Sequence, residues 1–300
     1  MKKLISTVTA VIMICALSAF GFAACLGNDN SDDRELSSQW SVNWDAYRPN
    51  LSDPMPSEPP DDGTEEPDDE NSGASVVTPP QVIAPVIKYS SMIKSDTQGL
   101  NIRSAPSTSS SIVGSMDKGD MLRYEGSVNG WYKTVYKQRV AYVYAGNNYA
   151  HIVQMKQSSA DKVEKIISVG EELMGYPYVW GSQRYHWGNG KLNTAFVQGE
   201  YDCSALMQYI FYHGAGILLD LNTRTQVLQG KTVANGDLKR GDVMFFTNAS
   251  RYNNTGVERV GHVALYLGDN YILHTASDHA VIEEISATRW SYFITAKRFV

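Results

Sequence analysis

The chain has 300 residues, enough for about two domains, and its formal charge of −6 is unevenly placed. Residues 26–75 hold 14 acidic and 2 basic residues, whereas residues 76–300 hold 18 acidic and 22 basic ones. The larger part is therefore mildly basic, which suits an anionic surface, and it lacks the concentrated basic patch of a nucleic-acid-binding protein.

Residues 1–25, MKKLISTVTAVIMICALSAFGFAAC, carry Lys2 and Lys3, an apolar run from Leu4, and small residues before Cys25. This is the layout of an export signal, which is set aside from the fold. Ala23–Ala24–Cys25 resembles a bacterial lipoprotein processing site, so Cys25 is expected to be lipidated and to become the first residue. The rival reading is an uncleaved membrane anchor, since about 20 apolar residues span a bilayer. Both readings place the remainder outside the cytoplasmic membrane, lipid-anchored or released to the cell wall. With Cys25 lipidated and Cys15 removed, Cys203 is the one thiol left. Such a thiol is an intermolecular bridge, a reactive group or a small buried hydrophobe.

Residues 26–87 include SEPPDDGTEEPDDENSGAS, a stretch rich in Pro, Asp, Glu, Ser and Gly and free of large apolar side chains. That composition predicts disorder and, through self-repulsion, extension: an acidic tether. Over 88–153 the pattern changes to short alternations, GLNIRS, MLRYEG, WYKTVYK and VAYVYA, separated by Gly, Asn, Pro and Ser. Short strands at this spacing predict a small barrel. Leu100, Asn101, Arg103 and Pro106, then Lys118–Gly119, Asn129–Gly130–Trp131–Tyr132–Lys133 and Ala141–Tyr142–Val143 resemble a bacterial SH3-like (SH3b) domain. The resemblance implies a wall-targeting module or a neighbour that shapes a cleft. Trp131 and Tyr132 are expected in its core.

After a joint near His151–Ser159, residues 160–300 read as α+β. ADKVEKIISVGEELMG places Val163, Ile166, Ile167, Gly170, Leu173 and Met174 at helical spacing, with Gly175 and Pro177 as stops. A second helix starts near Asp202, a good N-cap residue, and ends at Gly214–Ala215–Gly216. Strands are expected at DVMFFT, HVALYLG, YILHTA and AVIEEI, with AKRFV closing the chain. Cys203 opens the second helix on the face of Leu206, Met207 and Ile210. There the helix dipole favours a thiolate, so the thiol pKa is expected to fall, as a nucleophile requires.

Of six histidines, His151, His186, His213 and His279 read as joint, loop, helix-end and loop residues. His262 and His274 lie on two strands of one hairpin, GHVALYLGDNYILHT. A three-residue loop at Gly268–Asp269–Asn270 sets Leu267 opposite Tyr271 and Ala264 opposite His274. The two histidines then share a face as diagonal neighbours, about 7–8 Å apart at the backbone; a two-residue loop would flip the face. On a shared face one imidazole accepts the thiol proton while the other orients it, and a pair of neutral core histidines is the alternative.

PYVWG (177–181), DCS (202–204), RTQ (224–226), LKRGDVMFF (238–246), GHVALYLG (261–268) and YILHTAS (271–277) stand in the order found in NlpC/P60-family cysteine peptidases, which this region resembles over its whole length. The resemblance implies a papain-like α+β fold, with the nucleophile helix packed on an antiparallel sheet. It implies endopeptidase cleavage of peptidoglycan stem peptides between γ-linked D-glutamate and the following diamino acid. Matched by motif, Cys203 is the nucleophile, His262 the general base and His274 the orienting residue, and a thiolate–imidazolium pair attacks to form a thioester. Tyr178 is expected beside the thiol, and Asp202 and Ser204 at the substrate end of the cleft. Asp202 is either a partner for the free amine of the stem or simply an N-cap. Arg224 is either a cleft contact or a structural ion pair, and Trp180 is expected to pack. No cofactor or metal is implied, and a monomer is expected. The chain departs from the family at 182–201, SQRYHWGNGKLNTAFVQGEY, where Tyr185, His186 and Trp187 form either a rim over the cleft or a packed excursion. Ala205 stands where Gly is more usual. The alternatives are a non-catalytic wall-binding lipoprotein, and an amidase or acyl transferase on the same fold.

Overall fold

Alternating apolar residues between Tyr89 and Lys156 form eight strands: β1 (Tyr89–Ser95), β2 (Leu100–Arg103), β3 (Ile112–Met116), β4 (Met121–Arg123), β5 (Gly126–Val128), β6 (Trp131–Tyr136), β7 (Arg139–Tyr144) and β8 (Ala150–Lys156). They make sheets of order β3-β2-β7-β6-β5 and β4-β1-β8, closed over Ile93, Ile102, Leu122, Trp131 and Val143, all buried. The computed structural model describes residues 86–300 apart from 189, 235 and 277. Cys25, the export signal and the acidic segment up to residue 85 lie outside the described residues. The stretch read as a joint from His151 is strand as far as Lys156, paired antiparallel with β1 from Ser95↔Ala150 to Tyr89↔Lys156. Of its seven side chains only Ala150 and Met155 are buried, so it has no clean two-residue period.

The α+β part follows as α1 (Asp161–Glu172), α2 (Cys203–Ala215), α3 (Thr223–Gln226), β9 (Lys231–Val233), β10 (Val243–Phe246), β11 (His262–Gly268), β12 (Tyr271–Ala276), β13 (His279–Glu284), α4 (Ala287–Ser291) and β14 (Phe293–Arg298). Six strands form one antiparallel sheet of order β13-β12-β11-β10-β14-β9. Because side chains alternate along a strand, β10 sends Val243 and Phe245 into the core that holds α1 and α2, and Met244 and Phe246 to the opposite face. His279 begins β13 and is not a loop residue. Helix α2 runs through Gly214, where a methyl group would meet the Ile166 backbone at 2.5 Å. That glycine lets α1 and α2 approach closely, while Gly216, at φ 68°, supplies the left-handed cap.

The β11–β12 turn differs from the expectation in a way that decides the site. Its tip is the two residues Asp269 and Asn270, both at positive φ, between the paired Gly268 and Tyr271. A bulge between Tyr266 and Gly268 absorbs the extra residue, so Tyr266↔Ile272 and Leu265↔Leu273 keep the register inferred from a longer loop. His262 and His274 therefore still share one face.

From Lys88 to Val300 the chain is one compact unit. The β6–β7 turn docks on the end of α1: Lys137 N–H donates to Met174 O and Gln138 N–H to Glu172 O, both at 2.9 Å. Gly175 sits at φ 87°, where any side chain would run into the Tyr136 ring.

Candidate active site

The site is built on the start of α2. Asp202 adopts extended backbone, and its carboxylate accepts from Ala205 N–H at 2.8 Å, capping the helix as its residue type predicts. Cys203, the first helical residue, is 7% exposed. Its sulfur receives the backbone N–H groups of Val263 and Ser204, which places it at the residue after His262. His262 Nε2 meets His274 Nδ1 at 2.8 Å, with the rings nearly perpendicular. Thus the residues Cys203, His262 and His274, picked out in sequence, come together on α2, β11 and β12.

Two further groups were missed. Glu283 Oε1 lies 2.9 Å from His274 Nε2, and Arg289 Nη2 donates to the same oxygen at 3.3 Å. Glu283 is on β13 opposite Ile272, with His274 opposite Val281, so His274 and Glu283 are again diagonal neighbours on one face. The doublet in AVIEEI carried the signal, but only the register tells Glu283 from Glu284.

The expected substrate contacts fare differently. Asp202 is 5% exposed, and Arg184 grips both its oxygens at 2.8 and 2.7 Å. Ser204 Oγ and Gly181 N–H also donate to it. The carboxylate is saturated within the protein, so Asp202 is a cap and an anchor for the 182–201 excursion and offers no lone pair to an incoming amine. Ser204 is 3% exposed and turned onto Asp202, so it does not line an open cleft. Arg224 pairs with Glu258 at 3.5 Å. Tyr178 is half-buried and bridged in parallel to Tyr201 beside Asp202. Trp180 does not pack: it is 81% exposed, one residue before the Gly181 N–H that touches Asp202. In the excursion, Tyr185 packs among Phe196, Tyr209 and Tyr212. Tyr185 is half-buried, His186 is fully buried and Trp187 is exposed, so two of the three marked side chains belong to a packed structure.

A profile described as the NlpC/P60 family matches residues 175–298, and a bacterial SH3 domain profile matches residues 98–147. A probable endopeptidase NlpC homolog of Haemophilus influenzae is 31% identical over 150 residues, 49% of this chain and 69% of that protein. This chain belongs to the NlpC/P60 family. A gamma-D-glutamyl-L-lysine dipeptidyl-peptidase of Bacillus subtilis is 29% identical over 167 residues, 55% of this chain and 47% of its own length. The peptidoglycan endopeptidase RipA of Mycolicibacterium smegmatis is 28% identical over 138 residues, 45% of this chain. The chain spans only 26% of the length of RipA. Among solved structures, an NlpC/P60 family protein from Bacillus cereus aligns with 70% of this chain and 63% of its own, at 18% identity and a TM-score of 0.35.

In this NlpC/P60 site, electrostatics do not follow the helix-dipole expectation. Burial, with Asp202 adjacent, pushes the Cys203 thiol up to about 12, against the hydrogen bonds from Val263 and Ser204. Burial also holds His262 well below its usual value, helped by Arg289 and His274. Desolvation disfavours each isolated charge, so burial works against the expected ion pair of thiolate and imidazolium.

Proposed function

We propose that this protein is an extracytoplasmic peptidoglycan hydrolase, a cysteine endopeptidase cutting stem peptides between γ-linked D-glutamate and the following diamino acid. The observation that carries the reading is the 2.8 Å contact of His262 and His274 beside a buried thiol at a helix start. Family membership and the names of the relatives, a γ-D-glutamyl-L-lysine dipeptidyl-peptidase among them, support the bond. The Cys203 thiol gives its proton to His262 as sulfur attacks the γ-glutamyl carbonyl. Backbone donors at the start of α2, including the Cys203 N–H, stabilise the oxyanion. His262 then protonates the leaving amine as the C–N bond breaks, and water, with His262 as base, hydrolyses the thioester and restores the thiol. Tyr178 lies on the strand-like segment beside Asp202 and positions the substrate. Residues 88–153 act as the SH3-like module and 160–300 as the catalytic domain, held near the membrane by lipid on Cys25 and the acidic tether.

The test is incubation of residues 76–300 with L-Ala–γ-D-Glu–diamino acid–D-Ala, made with lysine and with diaminopimelate, beside Cys203→Ala. Mass spectrometry should find L-Ala–D-Glu released by the unaltered protein alone. Cleavage elsewhere would assign an amidase or transferase activity; no cleavage, with wall sacculi still bound, would assign a binding module.

A further inference from the structure

We infer that Glu283, braced by Arg289, is a positioning residue that sets the tautomer of both histidines and so makes His262 Nδ1 the basic nitrogen of the site. This inference deepens the endopeptidase reading and rests on it only for the peptide assay.

The chain of reasoning starts from what each group can donate. An ionised carboxylate only accepts hydrogen bonds, so at 2.9 Å the His274 Nε2 must carry the proton. A neutral imidazole has one N–H, which leaves His274 Nδ1 as an acceptor. At 2.8 Å from it, His262 Nε2 must then be the donor. By the same count His262 Nδ1 holds the lone pair. That nitrogen is bonded to the ring carbon nearest the backbone, and the next backbone N–H along the strand, that of Val263, is the one that meets the Cys203 sulfur. The opposite tautomer would present an N–H to the thiol and could not take its proton.

The premises have independent support. His274 is fully buried, and burial lowers its pKa, with Arg289 adding to the effect and Glu283 opposing it, so it is neutral. Burial would raise the Glu283 carboxyl, but the His274 hydrogen bond and Arg289 outweigh it and hold the group at about 2. Arg289 is itself held in place, its guanidinium 6.0 Å above the Phe246 ring and its backbone N–H donating to the Ser286 hydroxyl that caps α4. The relay thus steps diagonally across β11, β12 and β13 and ends on α4. Asp120 and His279 are the other charged or titratable groups that sense this end of it.

The experiment uses the full chain labelled with 15N-histidine, whose ring shifts distinguish a protonated from a bare nitrogen, together with peptide kinetics and the rate of Cys203 alkylation by iodoacetamide. In the unaltered protein His262 should carry its proton on Nε2. Glu283→Ala should give mixed tautomers, slow alkylation, and lower kcat by about 10- to 100-fold, with KM changed less than about threefold. Glu283→Gln should recover most of the loss, because Arg289 holds its Oε1 toward His274. Protonation of His262 at Nδ1 in the unaltered protein would overturn the relay without any variant. So would Glu283→Ala with unchanged tautomers and kcat. If the unaltered protein cleaves no stem peptide, the endopeptidase reading fails, while the tautomer and alkylation measurements still decide the relay.

Discussion

At the scale of single residues, the chemistry of Cys203 is set by desolvation. A helix N-terminus stabilises a nearby negative charge by about 0.3–1 kcal/mol at exposed positions. Removing a thiolate from water costs more, and Asp202 next to it adds repulsion. With a thiol near 12 and His262 depressed below its usual 6.5, the active form is expected to have Cys203 protonated and His262 neutral. It is lost on the acid side when His262 gains a proton and on the basic side when the thiol ionises. The expected kcat/KM profile for the stem peptide is therefore flat between an acid limb below pH 6.5 and a basic limb well above the ordinary thiol value of 9.0. An acid limb reporting a low-pKa thiol, with a basic limb near neutrality from an imidazolium, would show that the ion pair is the resting state. Trp180 illustrates the limit of residue-level reading. An indole usually packs, yet here its backbone is held along Tyr201 and Asp202 while the ring stands in solvent.

At the scale of elements, the 182–201 excursion and the β11–β12 hairpin both depend on one local anchor. Arg184 is the ionic anchor of the excursion on α2, through a bidentate pair with side chains 16% and 8% exposed. A pair this enclosed is costly to break, because the surviving charge stays buried. Arg184→Ala is expected to lower unfolding stability by about 2–4 kcal/mol in urea titration. A change under about 0.5 kcal/mol would mean the pair is solvated in solution. In the hairpin, the bulge at Tyr266–Gly268 lets a two-residue turn coexist with the register that brings the histidines together. Without it the same turn would move one strand by a residue and turn its side chains to the other face.

At the scale of the whole molecule, the barrel and the α+β part meet around Glu171. This carboxyl is 6% exposed, and its nearest cation, Arg123 of β4, stands at 3.8 Å while also engaging Glu125 at 2.7 Å. Burial pushes Glu171 up to about 7, only partly offset by Arg123 and Arg240, and the carboxylates of Glu164 and Glu172 push the same way. Between its ordinary 4.5 and about 7 the folded protein binds more protons than the unfolded chain. Stability should therefore fall as pH rises through that window and level off above it. Glu171→Gln is expected to remove this slope and to stabilise the protein at pH 8 by up to about 3 kcal/mol, read by denaturation at pH 5 and pH 8. A variant less stable at pH 8 would show that the ionised carboxylate holds the junction together.

Period and residue type by themselves determined the two-part α+β and all-β organisation, the α1 and α2 helices, the sheet strands and the shared face of His262 and His274, while the roles of Cys203, His262 and His274 came from the resemblance of the motifs to the NlpC/P60 family. Those features are local: a cap followed by a 3.6-residue stripe, or an alternation bounded by glycines, is complete within about twenty residues. Residues 151–156, expected as a joint, belong to β8; an edge strand with few buried side chains has little alternation to detect. Only the tertiary structure decided what those residues touch. The saturation of Asp202 by Arg184, the bulge that preserved the histidine face, the Glu283–Arg289 end of the relay and the burial of Cys203 and its neighbours all arise from groups brought together by folding. Registers across three strands and the exclusion of water set them, and neither is written in any single stretch of chain.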